Sequence, residues 1–125
     1  MCGITGFCDF RKNSTKHDIE LMINSLEHRG PDDSGNQLWD SQEYTLAFGH
    51  RRLSIIDTSS AGHQPMFSAC NQYCIIFNGE IYNYKELRKQ LILEGTLFTT
   101  NTDTEVLLHM YQKYGASFIK DVIGM

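Results

Sequence analysis

Tyr73-Cys74-Ile75-Ile76-Phe77-Asn78-Gly79-Glu80-Ile81-Tyr82-Asn83-Tyr84-Lys85-Glu86-Leu87 passes in one run from an apolar, β-prone stretch through a turn into a helix start. Tyr73 to Phe77 has the composition of a strand buried on both faces. Asn78-Gly79 interrupts it. Asn83 and Glu86 then stand at capping-box spacing for a helix to about Glu94, with Gly95 as its stop. A strand, a turn and a capped helix in succession predict a fold that mixes α and β elements.

The same grammar continues on both sides. Downstream, Thr102 and Glu105 repeat the cap for a helix ending at Tyr114, stopped by Gly115. Upstream, Ile4 to Phe10 reads as a short strand, and Ile19, Met22, Ile23 and Leu26 recur at helical spacing, so Lys16 to Glu27 is expected to be an amphipathic helix with Thr15 and Asp18 at its start. His28 to Gly35 reads as an ordered loop, Tyr44 to His50 and Leu53 to Asp57 as strands, and Thr58 to Gln64 as loop. Phe118 to Met125 is apolar and turn-prone without a stopping signal.

The 125 residues, 41% hydrophobic and 21% charged, suit one globular domain, 1–125, with a modest core. No apolar run approaches the roughly 18 residues of a membrane span. The start has neither a basic region nor an uninterrupted apolar one, so no secretory signal is read and a cytoplasmic location is expected. A net charge of -4 with no basic cluster beyond Arg51-Arg52 argues against nucleic acid as partner. The four cysteines, Cys2, Cys8, Cys70 and Cys74, are expected to be free thiols. Cys70 and Cys74 have the spacing of half a zinc site, but no second half accompanies them, and no metal is expected.

Chemistry enters at Cys2. Removal of Met1 would leave a thiol and a free α-amine on one residue, and an α-amine is basic enough near neutral pH to take the proton of its own thiol. Position alone does not separate this from a small buried cysteine. Its company does. Met1-Cys2-Gly3-Ile4-Thr5-Gly6, His28-Arg29-Gly30-Pro31-Asp32-Asp33-Ser34-Gly35, His50-Arg51-Arg52-Leu53-Ser54-Ile55-Ile56-Asp57, Phe77-Asn78-Gly79-Glu80-Ile81-Tyr82-Asn83-Tyr84 and Asn101-Thr102-Asp103-Thr104-Glu105-Val106 follow one another in that order. Together they resemble the class II, N-terminal-nucleophile glutamine amidotransferases. Arg29-Gly30-Pro31-Asp32 and Asn78-Gly79-Glu80-Ile81-Tyr82-Asn83 look like the asparagine synthetase branch, and the resemblance spans essentially the whole chain.

The resemblance implies the αββα four-layer sandwich of N-terminal-nucleophile hydrolases, in a domain that continues past Gly124-Met125. It implies that Cys2 attacks the side-chain amide of L-glutamine, releasing ammonia and leaving a thioester that water cleaves to glutamate. Asn78 and Gly79 would form the oxyanion hole, Arg52 would clamp the α-carboxylate and Asp103 would receive the α-amine. Glu80 would line the pocket, with Ile55 and Ile56 supplying backbone contacts. ATP and magnesium would belong to an absent synthetase domain, so no cofactor is expected here. The partner would be that domain or a synthetase subunit, with aspartate or a related acceptor taking the ammonia. A homodimer is left open.

Each residue also has a plainer reading. Asn78-Gly79 is a strong hairpin signal, Arg52 suits a surface ion pair, and Asp103 suits a helix N-terminus. The histidines His17, His28, His50, His63 and His109 are read as structural, with His28 and His50 fixing loops, since the amidotransferase class needs no histidine base. A non-catalytic glutamine-binding or assembly module is the rival to the enzyme.

Overall fold

The computed structural model describes residues 2–54 and 59–125. It is of the mixed α and β class and falls into two compact units. The first comprises residues 2–54, His63–Pro65 and Ile76–Asn78; the second comprises 59–62, Met66–Ile75 and Gly79–Met125.

The first unit is a three-stranded antiparallel sheet in the order β1-β3-β2, with β1 at Gly3–Asp9, β2 at Asp33–Asp40 and β3 at Thr45–Arg52. The register places Phe7 opposite Ala47 and Leu38 opposite Ala47, which puts all three on one face. Helix α1, Lys16–Ser25, covers that face: Ile19 and Ile23 pack on Ala47 with Phe7, Met22 and Leu38 around them. At the start of α1 the Asp18 carboxylate accepts from the backbone N–H and hydroxyl of Thr15 at 2.7 and 2.8 Å. The turn before it is closed by Asp9, whose carboxylate accepts the N–H groups of Arg11, Asn13 and Ser14, each at 2.8 Å. Hydrogen bonds from Ser14 and Arg11 lead in holding the Asp9 carboxyl down at about 2.

The second unit holds the hairpin of β4, Met66–Phe67, and β5, Cys74–Ile75, together with α2, Tyr84–Leu93, and α3, Asp103–Tyr114. Leu87 and Leu91 of α2 and Val106, Leu107, Leu108 and Met110 of α3 are buried. The α2 helix stops as Gly95 predicts: the N–H of Thr96 reaches the carbonyl of Leu91 at 2.9 Å and that of Gly95 reaches Ile92 at 3.0 Å, the paired bonds of a Schellman end. Across Glu94 the Lys113 ammonium and the Tyr114 hydroxyl join α2 to α3. After a 3₁₀ turn at Gly115–Lys120, the chain pairs back on residues 80–82: Glu80 and Met125 exchange N–H···O bonds at 2.9 and 3.0 Å, and Tyr82 donates to Ile123 at 2.7 Å.

Several expectations are corrected. His28–Gly35 is not one loop: Glu27–Arg29 is a 3₁₀ turn, and Asp33, Ser34 and Gly35 already belong to β2. That strand escaped a reading based on apolar alternation, because Leu38 and Trp39 are its only large apolar residues. β3 ends at Arg52, so Leu53 and Ser54 lie outside any strand, and residues 55–57 fall outside the described residues. Of Tyr73–Phe77, the pair Cys74–Ile75 alone is strand, and it is half-buried. Asn83 and Glu86 form no capping box: the Asn83 amide instead donates to the Asp121 carbonyl at 2.8 Å and accepts from Ile123 N–H at 2.9 Å, holding the C-terminal segment. Asn78-Gly79 joins no two strands, so its hairpin reading does not hold.

Replacing Ile23, 2% exposed, with Ala is expected to cost about 2–4 kcal/mol in urea denaturation, the range for an aliphatic side chain deleted from a packed interior.

Candidate active site

In the first unit the N-terminal motif meets the end of β3. Because Gly3 pairs with Arg51, Cys2 lies beside the residues that follow β3. Its sulfur accepts the N–H of Leu53 at 3.4 Å and lies 3.7 Å from the Leu53 carbonyl. The Arg29 Nε donates to the Cys2 carbonyl at 3.4 Å, which ties the second motif to the first.

That second motif is seated against the third by its glycine. A side chain at Gly30 would place Cβ 2.4 Å from the carbonyl carbon of Arg51 and 2.6 Å from the nitrogen of Arg52, so only glycine lets the backbones lie this close. Next to it, the Asp32 N–H donates to the Arg52 carbonyl at 3.1 Å and the Asp32 carboxylate accepts the Ser54 N–H at 2.8 Å. Arg52 is thereby fixed in its backbone and buried, with 7% exposure. The exposed position that the plainer reading from sequence requires is not where Arg52 lies.

Asn78 belongs to the same unit and follows Phe77, whose carbonyl accepts from the His50 Nε2 at 3.1 Å. Since a carbonyl only accepts, Nε2 carries the proton. Cys2 and Phe77 are thus each tied to the β3 end, at positions 53 and 50. His50 fixes a loop as expected from sequence; His28 is exposed in the 3₁₀ turn.

In the second unit Asp103 is the first residue of α3 and is 7% exposed. Its carboxylate accepts the Ile81 N–H at 3.0 Å, which sets it against the segment carrying Gly79 and Glu80. Burial pushes its carboxyl above the usual range, and the Glu80 charge adds to this, while hydrogen bonds from Ile81 and Thr104 pull the other way. Glu80 itself is exposed. Ile55 and Ile56 lie outside the described residues. Among the described residues no group of three or more His, Cys, Asp or Glu is placed to hold a metal ion, and no helix is long and apolar enough to cross a membrane. Cys2, Cys8, Cys70 and Cys74 are free thiols.

Residues that sequence reading passed over do much of the fixing. Gln64 accepts the Phe77 N–H at 2.6 Å, and Glu105 accepts the N–H and hydroxyl groups of both Thr99 and Thr100. Glu105 was read only as half of a cap; Gln64 carried no local signal, lying at the end of an expected loop.

The chain is of the mixed α and β class, and its Cys2 thiol lies against Leu53, the residue after buried Arg52. All of residues 1–125 match the family described as "Glutamine amidotransferase domain", and the chain belongs to that family. Among its relatives, asparagine synthetase [glutamine-hydrolyzing] 3 of Bacillus subtilis is 42% identical and asparagine synthetase [glutamine-hydrolyzing] 1 of Arabidopsis thaliana 39% identical, each over 100% of this chain. The chain spans 20% of the length of each.

His50 generates a prediction of its own. It is 1% exposed, and burial lowers its pKa from the ordinary 6.5, against the opposing pull of the Phe77 carbonyl; Asp33 favours the charged ring, Arg52 and His63 oppose it. The unfolded chain therefore binds the proton first as pH falls. The stability from neutral His50 is complete above about 6.5 and is lost as pH drops toward the lowered value. Urea denaturation between pH 5 and 8 is expected to show a steeper acid-side loss for wild type than for His50→Gln.

Proposed function

We propose that this chain is the glutaminase portion of an asparagine synthetase-type amidotransferase. The observation that carries the reading is Cys2, its sulfur facing the Leu53 N–H directly after buried Arg52, in a chain that matches a glutamine amidotransferase domain from end to end.

With Met1 removed, the α-amine of Cys2 takes the thiol proton. The sulfur bonds to the side-chain carbonyl carbon of glutamine, and the carbonyl electron pair moves onto oxygen. The Asn78 side-chain amide and the Gly79 N–H donate to that oxygen, where charge develops in the transition state. The C–N bond then breaks, the leaving nitrogen takes the proton from the α-ammonium, and ammonia departs from a glutamyl thioester. Water adds to the thioester, the C–S bond breaks, and glutamate leaves with the thiol restored. Arg52 offers the α-carboxylate a two-pronged donor. Asp103 offers the α-ammonium a desolvated carboxylate that gains most from a cation, because burial has raised its pKa. Glu80, and the backbone of Ile55 and Ile56, complete the pocket.

The same reading makes the α1-covered sheet one half of an αββα sandwich within a single domain. In support, the face away from α1 presents Leu46, Phe48 and Trp39, with Trp39 and Phe48 edge-to-face at 5.4 Å. Such an apolar face calls for a second layer. The synthetase portion, with ATP and magnesium, would consume the ammonia on aspartate or a related carboxylate in the cytoplasm. The relatives' names and their greater length support that partner.

Intact mass after incubation with a diazo-ketone analogue of glutamine tests the reading. One adduct on a chain lacking Met1, absent from Cys2→Ala, is the expected result; a Met1-free folded chain without adduct favours the glutamine-binding module. Asp103→Asn is expected to raise the KM for glutamine about 10-fold or more, with a smaller change in kcat, as steady-state ammonia release would show.

A further inference from the structure

The segment 76–78 that precedes the Gly79 turn lies outside any strand, so no ladder fixes its backbone. Two buried side chains do that instead. The Phe77 N–H is accepted by Gln64 Oε1 at 2.6 Å, and the Phe77 carbonyl is met by His50 Nε2–H at 3.1 Å. Gln64 is 5% and His50 1% exposed. Both polar groups of one backbone residue are thus held by side chains that have little room to move, and the carbonyl that His50 holds belongs to the Phe77–Asn78 peptide itself.

Each half of this clamp has its own support. His50 is on β3, opposite Ile4 on one side and Gly35 on the other. Gly35 is the seat for Gln64: a Cβ there would stand 2.1 Å from the Gln64 carbonyl oxygen and 2.7 Å from the His63 ring, so only a glycine in β2 admits the 63–64 backbone. The Asp33 carboxylate then holds that segment in register through His63 Nδ1 at 2.8 Å. Among the described residues, His50 Nδ1 is buried without a hydrogen-bond partner. The ring bears that cost while donating through its other nitrogen, so its tautomer is assigned by Phe77.

We propose that His50 and Gln64 are positioning residues that set the orientation of the Asn78 amide in the oxyanion hole. This rests on the glutaminase reading above. Neither side chain touches the reacting atoms. They act by fixing the peptide from which the Asn78 donor projects, and a shift of about 1 Å in such a donor is enough to cost orders of magnitude in rate.

The test uses the complete gene product with two matched pairs. Gln64→Met keeps the shape and removes the acceptor, whereas Gln64→Glu keeps an acceptor oxygen; His50→Leu removes the donor, whereas His50→Gln retains an N–H. In ammonia release from glutamine, Gln64→Met and His50→Leu are expected to lose about 10- to 100-fold in kcat with KM within about twofold, and the paired variants to recover part of the loss. Affinity for the aldehyde analogue of glutamine, which places a thiohemiacetal oxygen in the hole, is expected to fall in parallel with kcat, while inhibition by glutamate stays unchanged. Wild-type kcat in both Gln64→Met and His50→Leu, or aldehyde and glutamate affinity falling together, would overturn the clamp. Diazo-ketone labelling separates the two levels. Wild type that is not labelled at Cys2 removes the glutaminase reading and the clamp with it; labelled wild type with unaltered variants removes the clamp alone.

Discussion

Antiparallel pairing of Thr45–Arg52 on both its edges is the constraint on which the first unit depends. The register with β1 fixes where Cys2 emerges, and the register with β2 fixes where Asp33 and Gly35 stand. A slip of one residue on either side would turn Ala47 away from α1 and His50 away from Phe77, so the core and the candidate site are specified together. The residues at the far end of β3 then divide the work. His50 holds the backbone before Asn78, Arg52 is buried, and Leu53 presents its N–H to sulfur.

Backbone that leaves a sheet usually goes to solvent, where water satisfies its polar groups. Phe77 does not. Its neighbourhood is half-buried, and side chains from a strand and a loop replace the missing ladder. The consequence is selective rigidity. A ladder would commit successive residues to one pleat, whereas two side-chain bonds fix the Phe77 backbone, and with it the peptide leading into Asn78, without committing the residues that follow to a strand. Asp32 works in the same manner on Ser54, so both irregular segments near β3 are pinned by isolated buried or carboxylate side chains.

What could be read from sequence follows from how local each signal is. Helices α1, α2 and α3 were legible because periodic apolar positions and Gly95 or Gly115 lie within a few residues of one another. Strand β2 was not, since an edge strand with Asn36 and Gln37 between its glycine and its apolar residues shows no alternation. Tyr73–Phe77 misled in the opposite direction: its apolar content suits a long buried strand, but the partner β4 offers only Met66–Phe67. The ordered motifs single out Cys2, Arg52 and Asp103 through the resemblance they carry. Gln64 was invisible because its role is created by Gly35, a residue far away in the chain whose missing side chain makes the space.

The first turn of α3 shows why chemistry has to be assigned by environment rather than by residue type. Asp103 and Glu105 are both buried carboxylates at a helix N-terminus, where the dipole favours a negative charge. Desolvation is the largest influence on each and pushes both upward. For Glu105 the hydrogen bonds from Thr100 and Thr99 outweigh it, leaving the carboxyl below its usual value. Its oxygens are occupied by four donors at 2.6–2.8 Å, so its charge is already spent on ordering residues 99–100 ahead of the helix. For Asp103 desolvation wins, and the carboxyl lies above its usual value even with the Ile81 N–H in place. A carboxylate in that condition has unmet electrostatic demand, and a bound ammonium would meet it. On the glutaminase reading, of two acids two residues apart, the one whose ionised form is left under-compensated would take the ligand, and the one whose ionised form is satisfied orders residues 99–100 ahead of the helix.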